Sequence, residues 1–175
     1  MLDRLPDFID PIAFAERRRE LSGTIKISEF ARLSEFLADK QGDVQVEFSF
    51  AKEGRQAIIH GRIKATLALT CQTCLQEVLW PLEITVNLGV VSSLEQADRL
   101  AAEYEPLLLD AEKISLRELV EDEMLLALPD YPRHDYDCIA REQSQAKLPV
   151  EDDNEQIRSD NPFSVLAKLK NTGDK

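Results

Sequence analysis

The chain has 175 residues, 43% of them hydrophobic, with 33 acidic side chains against 21 basic ones and a formal net charge of −12. This length and composition support one ordinary core plus a tail, while the charge has the wrong sign for a protein that neutralises phosphates along a duplex. The start "MLDRLPDFID" is not built like a secretory signal, and no apolar run reaches the roughly 18–20 residues of a spanning helix, so a cytoplasmic protein without a membrane partner is expected. Such acidity either aids solubility or attracts basic partners, and net charge alone does not separate the two.

In chain order, Asp10 followed by Pro11 marks a helix start, because Asp caps free amides and Pro is tolerated at the first helical position. A short helix through "IAFAERRRE" is predicted, then a brief strand over "LSGTIKI". A second helix is predicted over "SEFARLSEFLA", capped by Ser28, with Phe30, Leu33, Phe36 and Leu37 on one apolar face. The period then changes to two. Val44, Val46, Phe48 and Phe50 alternate with polar residues, as do Ile63, Ala65, Leu67 and Leu69, and then Val78 through Val90. That rhythm predicts an antiparallel sheet with one buried and one wet face. "KEGRQ" reads as the turn between the first two of these strands, and Pro81 points to an edge or a bulge because it cannot donate to a ladder. The stretch "SSLEQADRLAAEYEP" reads as part helix and part loop, and "LLLD" as a further strand. Ser115 and Glu118 form a capping box that opens a helix running to about Leu128, where Pro129 stops it. Leu116, Leu119, Val120, Met124 and Ala127 are its predicted inward face. The predicted class is therefore α+β: an antiparallel sheet of about four to six strands packed by a few short helices. The predicted layout is an α+β domain over 1–140, an acidic linker over 141–160 and a short C-terminal helix and tail over 161–175.

Three cysteines make an odd count, which disfavours a structural disulfide in a reducing compartment. Cys71 and Cys74, in "LALTCQTCLQEVLW", have the spacing of a redox pair or of half a zinc site. The redox reading needs a helix N-terminus after the pair to lower the thiol pKa, and here a strand pattern follows. A structural zinc needs four ligands, and "PRHDYDC" offers His134 and Cys138 as the other half. His60 is a poor substitute, because eleven extended residues place it about 36 Å away. Two readings stay open: Cys71, Cys74, His134 and Cys138 as a zinc site, or two thiols at a β-turn with Cys138 unrelated and His134 solvated. No glycine follows either cysteine of the pair to form a tight knuckle. In neither reading does a catalytic site follow, because four ligands leave no open position for substrate.

Three features suit a partner. Glu118, Glu121 and Asp122 lie at helical spacing on one predicted face; they suit a basic protein or, as a metal-dependent ribonuclease, a magnesium ion. Arg17, Arg18 and Arg19 are the densest positive charge, diluted by Glu16 and Glu20, and suit ribosomal RNA or a solvated helix end. In the C-terminal helix, Phe163, Leu166 and Leu169 share one side, which docks either in a partner groove or on the chain's own sheet.

The segments "DPIAFAERRRELSGTIKI", "CQTCLQEV", "LVEDEMLLALPDYPRHDYDC" and "NPFSVLAKLK" occur in the order seen in the YceD family of large ribosomal RNA subunit accumulation proteins, which this chain resembles over most of its length. Its most specific parts are "VEDEMLLALP" and the terminal Asn-Pro-Phe segment. The resemblance implies a bacterial cytoplasmic factor without known catalysis that supports synthesis, processing or stability of 23S ribosomal RNA. Some members place further cysteines after the helix, where this chain offers His134 and Cys138. The expectation is thus a non-enzymatic factor that binds a basic ribosomal protein or assembly factor. Direct binding to ribosomal RNA is the alternative, and a ribonuclease built on the acidic helix is a third.

Overall fold

In the computed structural model, which describes residues 5–139, the chain enters the fold through a two-residue strand, Phe8–Ile9 (β1). Asp10 then caps the helix Pro11–Glu16 (α1): its Oδ1 accepts from the Ala13 amide at 2.9 Å, and Pro11 takes the first turn. The helix is shorter than predicted. Arg18 adopts a left-handed backbone (φ 48°), which turns the chain into the strand Glu20–Lys26 (β2) and leaves the three arginines exposed just past the helix. Arg19 lies over the Phe14 ring at 5.3 Å.

The helix predicted over 28–38 does not form. Two 3₁₀ turns, Ile27–Glu29 and Leu33–Glu35, replace it. Phe30 and Leu33 are buried as the pattern requires, but Phe36 is 60% exposed and Leu37 only half-buried. The reason is tertiary. A continuous helix would commit the Arg32 and Leu33 amides to carbonyls one turn back, whereas here both donate to Glu121, at 2.8 and 3.0 Å. The loop then runs beside the sheet, with the Ala38 amide donating to the Ala68 carbonyl at 2.8 Å.

The alternating middle of the sequence forms Asp43–Glu53 (β3), Gln56–Thr70 (β4) and Glu77–Val91 (β5), each antiparallel to the next, with β2 on the outer side of β3. Val44, Val46, Phe48, Phe50, Ile59, Ile63 and Leu67 all turn inward. Gly61 faces Phe48 across β3 and β4, and a Cβ there would meet the Phe48 ring at 2.1 Å, so any side chain at this strand position would displace the ring. After β5 come the short helix Leu94–Ala97 (α2) and the strand Glu105–Leu108 (β6). β6 pairs with β5 in parallel, a departure from the expected antiparallel sheet. The connection over 92–104 meets the minimum of about a dozen residues that a parallel crossover requires. β6 covers only Leu88 to Val91, so Pro81 lies where β5 is an edge and donates to no ladder.

Ile114–Ser115 (β7) pairs with β1, and Ser115 Oγ accepts from the Glu118 amide at 3.2 Å to open the helix Leu116–Leu126 (α3). Leu116, Leu119, Val120 and Met124 pack with Phe14, Phe30, Leu33 and the inward face of the five-stranded sheet in one core. The Phe14 and Phe50 rings meet edge to face at 5.3 Å. No helix among the described residues is long and apolar enough to cross a membrane. The chain divides into a first unit, Met1–Cys138, and a second, Ile139–Lys175. The expected linker over 141–160 and terminal helix over 161–175, with Phe163, Leu166 and Leu169, lie outside the described residues.

Candidate metal centre

Cys71 follows the last residue of β4 and opens the turn into β5. Its amide donates to the Gln76 carbonyl and its carbonyl accepts from the Leu75 amide, both at 2.9 Å. Closing so tight a turn needs a left-handed residue, and Leu75 supplies it at φ 59° in place of the glycine that a knuckle usually carries. The cost is on the order of 1 kcal/mol for a residue with a Cβ. The Thr73 amide donates to Cys71 Sγ at 3.4 Å, so the turn aims an N–H at the sulfur.

The second half arrives from the loop after α3. The Gln72 amide donates to the Pro132 carbonyl at 2.8 Å, which clips this loop to the hairpin. His134 Nε2 lies 3.0 Å from the Glu77 carbonyl oxygen. A carbonyl only accepts, so Nε2 carries the proton and Nδ1 presents its lone pair to Cys74 Sγ, 3.5 Å away. Tyr136 stacks on the imidazole at 4.6 Å. Cys138 Sγ completes the group, 3.9 Å from Cys71 Sγ, too far for a disulfide.

The four ligand atoms of Cys71, Cys74, His134 and Cys138 all lie within 4.8 Å of one another. A tetrahedral zinc sets neighbouring sulfurs about 3.8 Å apart, and sulfur about 3.6 Å from nitrogen. The observed separations of 3.9 and 3.5 Å are those edges to within about 0.1 Å. Burial pushes the Cys71 thiol up, but amides of Cys74, Thr73 and His134 and the Cys74 side chain outweigh it and bring Cys71 down to about 5. Burial pushes the Cys138 thiol up, and contact with the Cys74 and Cys71 sulfurs adds to the rise, which reaches about 11. Thiolates crowded this closely repel one another, and a dication reverses that balance. With all four donors turned inward, the cluster can hold a metal ion and fix shape; it offers no open position for substrate. A redox pair activated by a helix is not what forms here, since a turn and then β5 follow Cys74.

The other candidates lie elsewhere. His60 stays inside an unbroken β4, with Nδ1 2.9 Å from Asn87 Oδ1. The expected exposed triad on α3 is corrected: Glu121 is 5% exposed and faces inward, leaving Glu118 and Asp122 outside. Glu121 accepts from the Arg32 and Leu33 amides and from Arg32 Nε at 3.0 Å, while Arg32 also reaches Asp122 at 2.6 Å. A carboxylate so fully engaged offers nothing to a magnesium ion. No signal in the linear sequence links Glu121 to Arg32, which is why the clamp is visible only in the fold.

Fold and site together define an α+β protein whose three cysteines and His134 form a group that can hold a metal ion. The profile of the family described as large ribosomal RNA subunit accumulation protein YceD matches residues 59–170, a span that contains the whole cluster. The chain is also 34% identical over 172 residues, 95% of its own length and 97% of the relative's, to the large ribosomal RNA subunit accumulation protein YceD of Haemophilus influenzae. The chain belongs to the YceD family. No solved structure matches it.

Proposed function

We propose that this protein supports accumulation of large-subunit ribosomal RNA in the cytoplasm as a non-enzymatic factor, by binding a basic ribosomal protein or assembly factor. The observation that carries the reading is the 34% identity, along nearly the whole of both chains, to a relative with that role in its name. The net charge of −12 supplies the physical side: such a surface attracts cationic protein and repels bare phosphate. Arg17, Arg18 and Arg19 do not outweigh this, since Glu16 and Glu20 flank them and Arg19 is stacked on Phe14.

In the same reading Cys71, Cys74, His134 and Cys138 hold a structural zinc. The ion supplies four ligand bonds that fix the loop after α3 on the β4–β5 turn. The chain's own residues do the rest: Glu77 orients the imidazole, and Gln72 joins the two halves. Deleting the gene is expected to lower 23S relative to 16S ribosomal RNA, and the wild-type chain to restore the ratio. Arg17→Glu with Arg18→Glu is expected to restore it equally well; failure of that variant alone would favour direct RNA binding through the arginines.

A further inference from the structure

Beside the cysteine cluster, and not part of it, lies a cleft of about 690 Å³. Its floor and walls come from Phe36 on the 3₁₀ loop, Leu69 at the end of β4, and Leu125, Leu128 and Pro129 at the end of α3. Phe36 is 60% exposed and places a large ring at the lip of the apolar cleft. The loop that carries the ring is held on both sides. Glu121 grips the loop through the Arg32 and Leu33 amides, and Ala38 bonds to Ala68 on its far side.

The rim carries the second observation. Glu35 and Asp130 both line the cleft, and among the described residues neither carboxylate has a basic side chain within ion-pair distance. Among the described residues the one cation at the rim is Arg32, which is turned away to Glu121 and Asp122. An apolar floor under carboxylates with no basic partner among the described residues is the complement of a segment with apolar side chains on one side and cations on the other. Nucleic acid fits neither part, since phosphates would face the carboxylates and the floor offers no cation. A second copy of this chain would bring the same carboxylates against themselves.

We propose that this cleft is the docking site for a cationic amphipathic segment of a partner protein, with apolar anchors seated between Phe36 and Leu128 and basic side chains paired with Glu35 and Asp130. The inference rests on the reading that the partner is a basic protein, and it names the surface involved.

Fluorescence anisotropy on the full chain tests it. The probe is a labelled helical peptide with leucines on one side and lysines on the other; its control carries glutamate in place of each lysine. The lysine peptide is expected to bind and the glutamate peptide to bind at least tenfold more weakly. Phe36→Ala, which removes an exposed ring, is expected to weaken binding about fivefold or more, and Glu35→Lys with Asp130→Lys at least tenfold. Asp98→Lys with Glu103→Lys makes the same change in net charge near α2, at the other end of the sheet, and is expected to weaken binding less than twofold. Equal loss from that distant pair, no loss from Phe36→Ala, displacement of the peptide by an RNA oligonucleotide, or dimerisation relieved by Phe36→Ala would each overturn the proposal. The same variants then meet dissociated large-subunit proteins. If wild type and cleft variants retain the same basic protein alike, the cleft is refuted while the functional reading stands. If wild type retains none yet the peptide results hold, the functional reading fails and the cleft stands.

Discussion

Glu121 lies 89 positions from Arg32, yet its carboxylate takes two backbone amides and the guanidinium of that loop. Removing it leaves the buried Leu33 amide without an acceptor and Arg32 with a weakened anchor. Glu121→Ala is therefore expected to lower unfolding free energy by about 3 kcal/mol in urea titrations. Asp122→Ala breaks only the exposed half of the clamp and should cost under about 1 kcal/mol. Equal losses would mean that the buried amides contribute nothing. Leu75 gives the opposite sign. It is 71% exposed and left-handed, so Leu75→Gly loses little burial and relieves strain. A gain of up to about 1 kcal/mol is expected from the same measurement. The sequence pointed to a knuckle lacking its glycine; that leucine would adopt the strained backbone instead could not be read from residue type.

At the scale of elements, legibility followed the range of the forces. The alternation of Val44, Val46, Phe48 and Phe50 is a local pattern, and it locates β3 because one face must be dry. The Ser115 cap is local too, and α3 starts there. The loop over 28–38 failed because its amides are claimed by a side chain from α3, a contact no window of sequence contains. β6 was half legible: "LLLD" marks the strand, but its parallel pairing is set by the fold, since a crossover of this length permits it without dictating it. Gly61 tests the packing of β3 on β4 directly. Gly61→Ala is expected to cost about 2–3 kcal/mol, because the Phe48 ring must leave a preferred rotamer to make room. Zinc tests the junction of α3 with the hairpin. Protein purified without a metal-binding tag should carry about one zinc per chain, with affinity falling as pH falls because protons compete for thiolates and imidazole. Chelation should speed hydrogen exchange at the Gln72 amide while the β3 and β4 ladder stays protected; metal content near zero would leave the cluster as thiols packed at a turn.

For the whole molecule, 33 acidic residues against 21 basic ones set the sign of every long-range encounter. Contacts between such a surface and a cationic protein are screened over about 8–10 Å at physiological ionic strength, so their strength must fall as salt rises. Family membership was legible in four separated segments, and the proposed partner class takes its physical support from the charge. The cleft was not legible, because Phe36, Leu69 and Leu128 converge only when the chain is folded. The most direct measurement titrates the purified full chain against dissociated large-subunit proteins and, separately, against protein-free 23S ribosomal RNA at rising salt. The expected result is capture of a basic protein that weakens with salt, with no comparable hold on the RNA. Tight, sequence-selective binding to the bare RNA at physiological ionic strength would contradict it.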